Sequence, residues 1–146
     1  MRNVWPVLAA SIVAVSVSTF PLIQSVVRDE FDPFGGFPVP QKIIGPRTVS
    51  PGGTVVVRGT KCYRQAVTTT GRAVFVRLAP STIQLPFSSG IRARKPGCVT
   101  STFANVLPAV MPAGVWRAEG QDCATRGRDT VCQGWWTQTF TVKEPA

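Results

Sequence analysis

The sequence predicts a mainly β protein: a sandwich of short strands preceded by one N-terminal hydrophobic, transmembrane helix. Glycine and proline each contribute 13 of the 146 residues, a content that favours strands and turns over long helices. Beyond residue 48, apolar residues recur with a period of two in short segments separated by Gly/Pro turns, as is typical of strands. Before residue 28 one long uncharged segment predicts the helix.

That uncharged segment runs from Val4 to Val27. As a helix it would span about 36 Å, enough to cross a hydrocarbon core of about 30 Å, although several serines and Pro21 weaken insertion. Residues 1–28 are therefore interpreted as a membrane anchor. A signal peptide cleaved near Ser16 or Ser18 and a buried helix of a soluble domain are the alternatives.

The charges that flank this segment predict its orientation. Arg2 precedes it, and Asp29, Glu30 and Asp32 follow closely after it. Because positive charge is retained on the cytoplasmic side, we expect a cytoplasmic N-terminus and a periplasmic or extracellular C-terminal domain. Cleavage would instead yield a secreted protein.

The four cysteines agree with export. An even number of cysteines in an exported chain predicts two disulfides. Cys123 and Cys132 flank a short loop containing Gly127, which predicts a hairpin disulfide and leaves Cys62 to pair with Cys98. A zinc site is the alternative, but the sequence contains no C-x₂₋₄-C pair to begin one.

Residues 29–47 are rich in proline and glycine and predict an extended stalk. Phe31, Phe34 and Phe37 recur every three residues, the period of polyproline II. These rings could enter the membrane interface or pack on the adjacent domain, and we favour the second arrangement.

Residues 48–146 are expected to form the disulfide-containing sandwich. Strand patterns occupy 54–58, 73–78, 100–103, 115–119 and 136–142. Their alternation places the following side chains toward the core: Val74, Val76, Leu78, Trp116, Ala118, Trp136, Gln138, Phe140 and Val142.

Three segments resemble bacterial and phage immunoglobulin-like domains: V-S-P-G-G-T-V-V-V-R-G, P-A-G-V-W-R-A-E-G and W-T-Q-T-F-T-V. The resemblance covers about residues 46–142 and implies an immunoglobulin-like β-sandwich. The whole layout, a hydrophobic span, a stalk and a small disulfide domain, is similar to small single-span membrane proteins of phages and prophages. The chain departs from antibody domains because no Trp lies between Cys62 and Cys98.

Several kinds of catalysis lack their usual residues. The chain contains no histidine, which removes the commonest general base and metal ligand. Its lysines form no S-x-x-K motif, and no phosphate-binding or dinucleotide-binding loop is present. We therefore expect no enzyme, no catalytic residue, no metal and no cofactor.

The formal charge of +9 is the remaining signal. Basic residues cluster in turn-like stretches, and alternation with Trp136 points Trp135 outward, although a second sheet layer could cover it. The candidate binding surface comprises Lys61, Arg64, Arg92, Arg94, Lys95, Arg126, Arg128 and Trp135. Suitable partners, besides the cytoplasmic membrane, are an anionic envelope polymer, lipid headgroups or an acidic protein surface.

Nucleic acid is a disfavoured partner, because the sequence predicts no helix that could contact bases and no aromatic platform on which bases could stack. The alternative to a binding surface is scattered, solvated arginine with no role.

Three functions fit these features. The first is a non-enzymatic, membrane-tethered binding or structural module outside the cytoplasmic membrane, of phage or prophage origin, acting in lysis or superinfection exclusion. The second is a virion or surface-assembly component. The third is a secreted soluble binding protein.

Overall fold

Ten β-strands are present in residues 30–145, the part of the chain that the computed structural model describes. The predicted mainly β fold is confirmed. No helix among these residues has the length and apolar character needed to cross a membrane, and the predicted anchor or signal peptide, 1–28, lies outside them. The strands are β1 (Phe34–Gly36), β2 (Lys42–Ile43), β3 (Thr48–Val49), β4 (Thr54–Tyr63), β5 (Val67–Ala79), β6 (Ile83–Arg94), β7 (Gly97–Val106), β8 (Gly114–Arg126), β9 (Asp129–Trp136) and β10 (Phe140–Val142).

The strands form two sheets. In the first, β4 is central, with β7 antiparallel along its whole length on one side and the short strands β1 and β2 on the other. In the second, β6, β5 and β8 are antiparallel neighbours. The far side of β8 pairs with β9 and then with β10, and β10 also pairs in parallel with β3 at the edge.

The segment predicted as a stalk contributes two strands to the first sheet. Its Pro/Gly content limits β1 and β2 to a few residues, but its aromatic rings provide apolar surface to bury. Phe34 and Phe37 pack on Tyr63 of β4, with ring centroids 5.9 and 6.2 Å away, and Phe31 is buried as well. The favoured arrangement for these rings, packing on the domain, is therefore the one observed for Phe34 and Phe37, and the compact unit extends from Asp32.

The apolar core lies between the sheets around Trp116, which has no exposed surface. Its indole Nε1 donates to the carbonyl of Pro112 at 3.0 Å, so the buried polar atom is satisfied. Phe75 stacks on Phe87 and meets Phe140 edge to face. The predicted burial of Trp116, Ala118, Phe140 and Val142 is confirmed.

Two predictions of strand alternation are wrong. On β5, Val76 is buried as predicted, but Phe75 belongs to the core cluster and Leu78 is 41% exposed. The register between β5 and β8 shifts between Arg77 and Ala79, so regular alternation does not hold at Leu78. Near the C-terminus, Trp136 is 40% exposed and Thr137 is buried. The ladder is interrupted between β9 and β10, and this interruption shifts the inward positions by one residue.

Four basic residues predicted to lie in turns lie in strands instead: Lys61 belongs to β4, Arg92 and Arg94 to β6, and Arg126 to the end of β8. No strand was predicted at β6 because Pro86, Gly90 and several serines break its apolar pattern.

Both predicted disulfides are present, which leaves no cysteine thiol for a zinc site. Cys62–Cys98 joins β4 to β7, and Cys123–Cys132 joins β8 to β9 beside a turn in which Gly127 has a φ of +60°. Each bond connects neighbouring strands of one sheet, so neither disulfide links the two sheets.

We expect Trp116→Ala to lower the free energy of unfolding by about 3–5 kcal/mol, because it leaves a cavity in the centre of the core. Urea denaturation followed by circular dichroism measures the loss. Trp136→Ala removes the same side chain from an exposed position and is the control, with an expected loss below about 1 kcal/mol. Similar losses for the two variants would contradict this description of the core.

Candidate functional site

A cavity of about 350 Å³ separates the two sheets beside the apolar core. One wall comes from alternate residues of β4 and β7, and the opposite wall from β5, β6 and β8 together with Trp135. Because β6 and β7 are edge strands of different sheets, the cavity lies where the sandwich has unpaired edges on both layers.

Glycines on facing strands make room for two buried polar side chains in these walls. A Cβ atom at Gly59 would lie 2.5 Å from Oε1 of Gln41, and one at Gly71 would lie 3.1 Å from Oδ1 of Asp122. Both distances are shorter than ordinary van der Waals contacts. Glycine at these two positions therefore permits Gln41 and Asp122 to occupy the space between the sheets.

An ion pair between Lys61 and Asp122 crosses the sandwich at the cavity. Lys61 Nζ of β4 donates to Asp122 Oδ2 of β8 at 3.0 Å, and the Asp122 side chain is only 6% exposed. The ammonium also lies 5.0 Å from the ring centroid of Trp135 and 5.3 Å from that of Phe37, within the range of cation–π attraction. This pair is thus a polar contact that joins the first sheet directly to the second.

Tyr63 adds a second contact to the same carboxylate. Its hydroxyl donates to Asp122 Oδ2 at 3.5 Å, and the guanidinium of Arg94 lies 5.3 Å from its ring centroid. Burial, reinforced by the Asp122 charge, raises the pKa of Tyr63 to about 12 although Arg94 opposes the shift. The phenol is therefore a protonated donor throughout the physiological range.

Two buried donors in the cavity walls have no hydrogen-bond partner among residues 30–145: Gln41 Nε2 and Trp135 Nε1. A buried donor without a partner costs about 1–3 kcal/mol, so such groups are uncommon in folded proteins unless a ligand or water satisfies them. These two N–H groups can therefore donate hydrogen bonds to a ligand or to water in the cavity.

Trp135 faces inward, so the predicted outward orientation is wrong and the second-sheet alternative is correct. It packs against the apolar core and lies over Gly120, its direct partner on β8. Any side chain at Gly120 would collide with the indole. The absence of a side chain there allows the indole to lie flat on the sheet.

The structure divides the predicted basic surface into two groups. Lys61, Arg92 and Arg94 line the cavity together with Trp135. The strand register brings the turns between β4 and β5, β6 and β7, and β8 and β9 to one end of the sandwich. We call this end, with Arg64, Lys95, Arg126 and Arg128, the basic end.

The cations of the basic end differ in whether they form an ion pair. Arg64 forms an ion pair with Asp32, and both side chains are about half exposed. Lys95 and Arg128 lie in exposed turns, and neither forms an ion pair with any residue in 30–145. These two cations are therefore available to an anionic partner.

Sequence reasoning missed three polar residues of the cavity. Asp122 was not among the predicted site residues, although its alternation with Trp116 and Ala118 on one strand was a signal that it faces inward. Tyr63 had the same kind of signal, because it alternates with Val57 and Lys61 on β4. Gln41 had none, because its position depends on backbone hydrogen bonds to Trp136 and Gln138, far along the chain. Within residues 30–145 no three His, Cys, Asp or Glu side chains lie close enough to hold a metal ion.

We expect Lys61→Met to lower the free energy of unfolding by about 3 kcal/mol, because it leaves the buried Asp122 carboxylate without a counter-charge. Adding Asp122→Leu should restore most of the loss in urea denaturation. Arg64→Met breaks an exposed pair and serves as the control, with a cost below about 1 kcal/mol. An equal cost for the two single variants would show that the Lys61–Asp122 pair does not join the sheets.

The chain has one tyrosine, so its titration can be followed directly by tyrosinate absorbance. We expect ionisation near pH 12 instead of 10.0, the ordinary value. Because the folded protein holds this proton more tightly than the unfolded chain, the stabilisation is complete below pH 10 and is lost as the pH rises toward 12. Tyr63→Phe should abolish the transition, and titration near pH 10 in a protein still folded by circular dichroism would refute the buried contact.

Comparison with known proteins finds weak structural likenesses and no match in sequence. No protein-family model matches the chain, and no curated protein matches it in sequence. Among solved structures, a family 123 glycoside hydrolase from Clostridium perfringens, studied for glycolipid glycan hydrolysis, aligns with a TM-score of 0.40 and 12% identity over 67% of this chain. The chain spans only 23% of the length of that enzyme. A superoxide reductase (neelaredoxin) from Ignicoccus hospitalis aligns with a TM-score of 0.35 and 17% identity, over 71% of this chain and 78% of its own.

These neighbours correct one prediction from the sequence. The missing histidine and motifs excluded an enzyme, yet a glycoside hydrolase is among the solved structures that align weakly with the chain. The exclusion of catalysis is therefore withdrawn. Likeness at this level assigns no activity to the chain, and the function has to be argued from its own residues.

Proposed function

We propose that the chain is an exported, immunoglobulin-like binding module whose basic end binds an anionic polymer of the cell envelope. The strand order supports the immunoglobulin-like class. We take β4 and β7 as strands B and E, and β5, β6, β8 and the β9–β10 pair as C, C′, F and G. The neighbours then follow the order of a variable-type sandwich that lacks strands D and C″. The disulfides within each sheet differ from the antibody bond between B and F.

The two disulfides support the exported location, because such bonds persist in oxidising compartments. Tethering by residues 1–28, release by cleavage and a phage or prophage origin remain predictions. A tethered domain would present its surface to the envelope, as a lysis or superinfection-exclusion factor requires.

The gathering of basic turns from both sheets at one end is the observation that carries the binding role. Arginine predominates in this set, and its guanidinium group binds phosphate oxygens in a bidentate manner. The turns form a surface spread across the two layers, which fits a repeating polyanion better than a single small ion. A phosphodiester polymer is therefore the partner that the charge and geometry favour, and anionic lipid headgroups are the alternative.

The purified full chain should bind poly(glycerol phosphate) with an affinity that falls as salt rises, because binding releases counterions. Replacing two exposed cations of the basic end, Lys95→Gln with Arg128→Gln, should lower the affinity about tenfold, equivalent to about 1.4 kcal/mol. The control pair, Lys42→Gln with Lys143→Gln, removes the same charge from exposed positions outside that end.

Equal losses for the two charge pairs would mean that net charge, not the basic end, determines binding. Binding to vesicles of anionic lipid without binding to the polymer would assign the surface to headgroups. Fluorescence anisotropy with labelled polymer and vesicle flotation distinguish these results.

A surface-assembly role has one observation in its favour. The edge strand β7 contains no charged residue, and its apolar side chains Val99, Phe103 and Val106 are 58%, 46% and 72% exposed. Edges of this type pair with other strands unless charge or proline prevents it. Sedimentation of the full chain at increasing concentration tests this role.

A further inference from the structure

We propose that the cavity between the sheets binds a sugar acid, a hydroxylated ring that carries a carboxylate, independently of the polymer bound at the basic end. The volume of about 350 Å³ lies at the small end of the range of about 300–1,000 Å³ found for ligand sites. It fits a ligand of one or two sugar rings.

The charges around the cavity favour an anion. Its charged lining residues are Lys61, Arg72, Arg92, Arg94 and Asp122. Lys61 is held by Asp122, and Arg94 donates to Thr69 Oγ1 at 3.3 Å. Arg72 and Arg92 are both exposed, and neither forms an ion pair with any residue between 30 and 145. Arg72 alternates on β5 with Gly71 and Ala73, which face the cavity, so its side chain points to the other side of the sheet. Arg92 is the register partner of Thr69, a buried residue of the lining, and shares its face of the sheet. Arg92 is therefore the group that receives the carboxylate, by the bidentate geometry that guanidinium and carboxylate share.

The neutral polar lining favours hydroxyl groups in the ligand. Thr69, Ser89, Ser101 and Asn105 each both donate and accept hydrogen bonds. A sugar hydroxyl has the same dual capacity, whereas a fatty acid would bury these side chains without partners. The unpartnered Gln41 Nε2 in the wall supplies a further donor for a ligand oxygen.

Aromatic side chains complete the match to a sugar ring. Phe87, Phe103 and Trp135 line the same cavity as the polar residues. The C–H face of a pyranose ring is apolar and packs on such rings, while its edge carries the hydroxyls. Among small anions, a sugar acid combines this apolar face with the hydroxyls and the carboxylate that the lining requires.

Isothermal titration calorimetry of the purified full chain with digalacturonic acid tests the proposal, and digalactose is the neutral match. We expect the acid to bind at least tenfold more tightly than the neutral sugar. Arg92→Gln should lower the affinity for the acid about tenfold. Ser101→Leu places a larger side chain in the cavity from β7 and should abolish binding.

Thr102→Leu, at the next position of β7 and outside the lining, is the matched control and should leave the affinity unchanged. If Ser101→Leu fails to fold by circular dichroism, Arg92→Gln decides the result, because that side chain is exposed. Absence of binding by the acid, equal binding of the neutral sugar, or an unchanged affinity in Arg92→Gln overturns the proposal.

The two proposed sites can fail separately. Ser101→Leu should retain its affinity for poly(glycerol phosphate), and the Lys95→Gln with Arg128→Gln variant should retain its affinity for digalacturonic acid. If Ser101→Leu abolished both, the cavity and the basic end would form one site and their independence would be refuted.

Discussion

The Lys61–Asp122 ion pair is the contact on which the cavity half of the domain depends. Neither disulfide crosses the sandwich, and the apolar core lies beside this half, not within it. A buried carboxylate is costly unless a charge and hydrogen bonds compensate it. Lys61 supplies the charge and Tyr63 a hydrogen bond, both from the opposite sheet. The carboxylate therefore holds the second sheet to the first where apolar packing is replaced by polar side chains.

This arrangement separates stability from binding along the length of the strands. Around Trp116 the sheets meet through close-packed apolar side chains, which exclude water and ligands alike. Toward the basic end, glycines on the facing strands accommodate the side chains of Gln41 and Asp122, and polar residues line the cavity between the sheets. The same long strands thus provide a rigid core at one end and position the cavity and the basic turns at the other, as a binding site on a stable scaffold requires.

Sequence patterns were informative where one local rule acted alone. Trp116 and Ala118 alternate with polar neighbours on a regular strand, and their burial was predicted correctly. The disulfide pairing followed from the short loop between Cys123 and Cys132. The predicted orientations of Trp135 and Trp136 were wrong, because strand pairing is interrupted between Trp136 and Phe140. Alternation counted back from Phe140 across this interruption therefore assigns the wrong faces to the residues before it. Strand β6 was also missed, because its pattern is broken by proline, glycine and serine.

The sequence by itself determined the mainly β class, the two disulfides, the basic charge and the central core residues, because these depend on composition and on neighbours along one strand. The tertiary structure alone decided that Lys61 of β4 meets Asp122 of β8, that Gln41 lies opposite Gly59, and that basic turns far apart in the chain share one end. The physical reason is that these contacts arise from the packing of one sheet on the other. The spacing of residues along the chain does not determine how two sheets pack on each other. The cavity, which residues of both sheets line, could therefore not be predicted from the sequence.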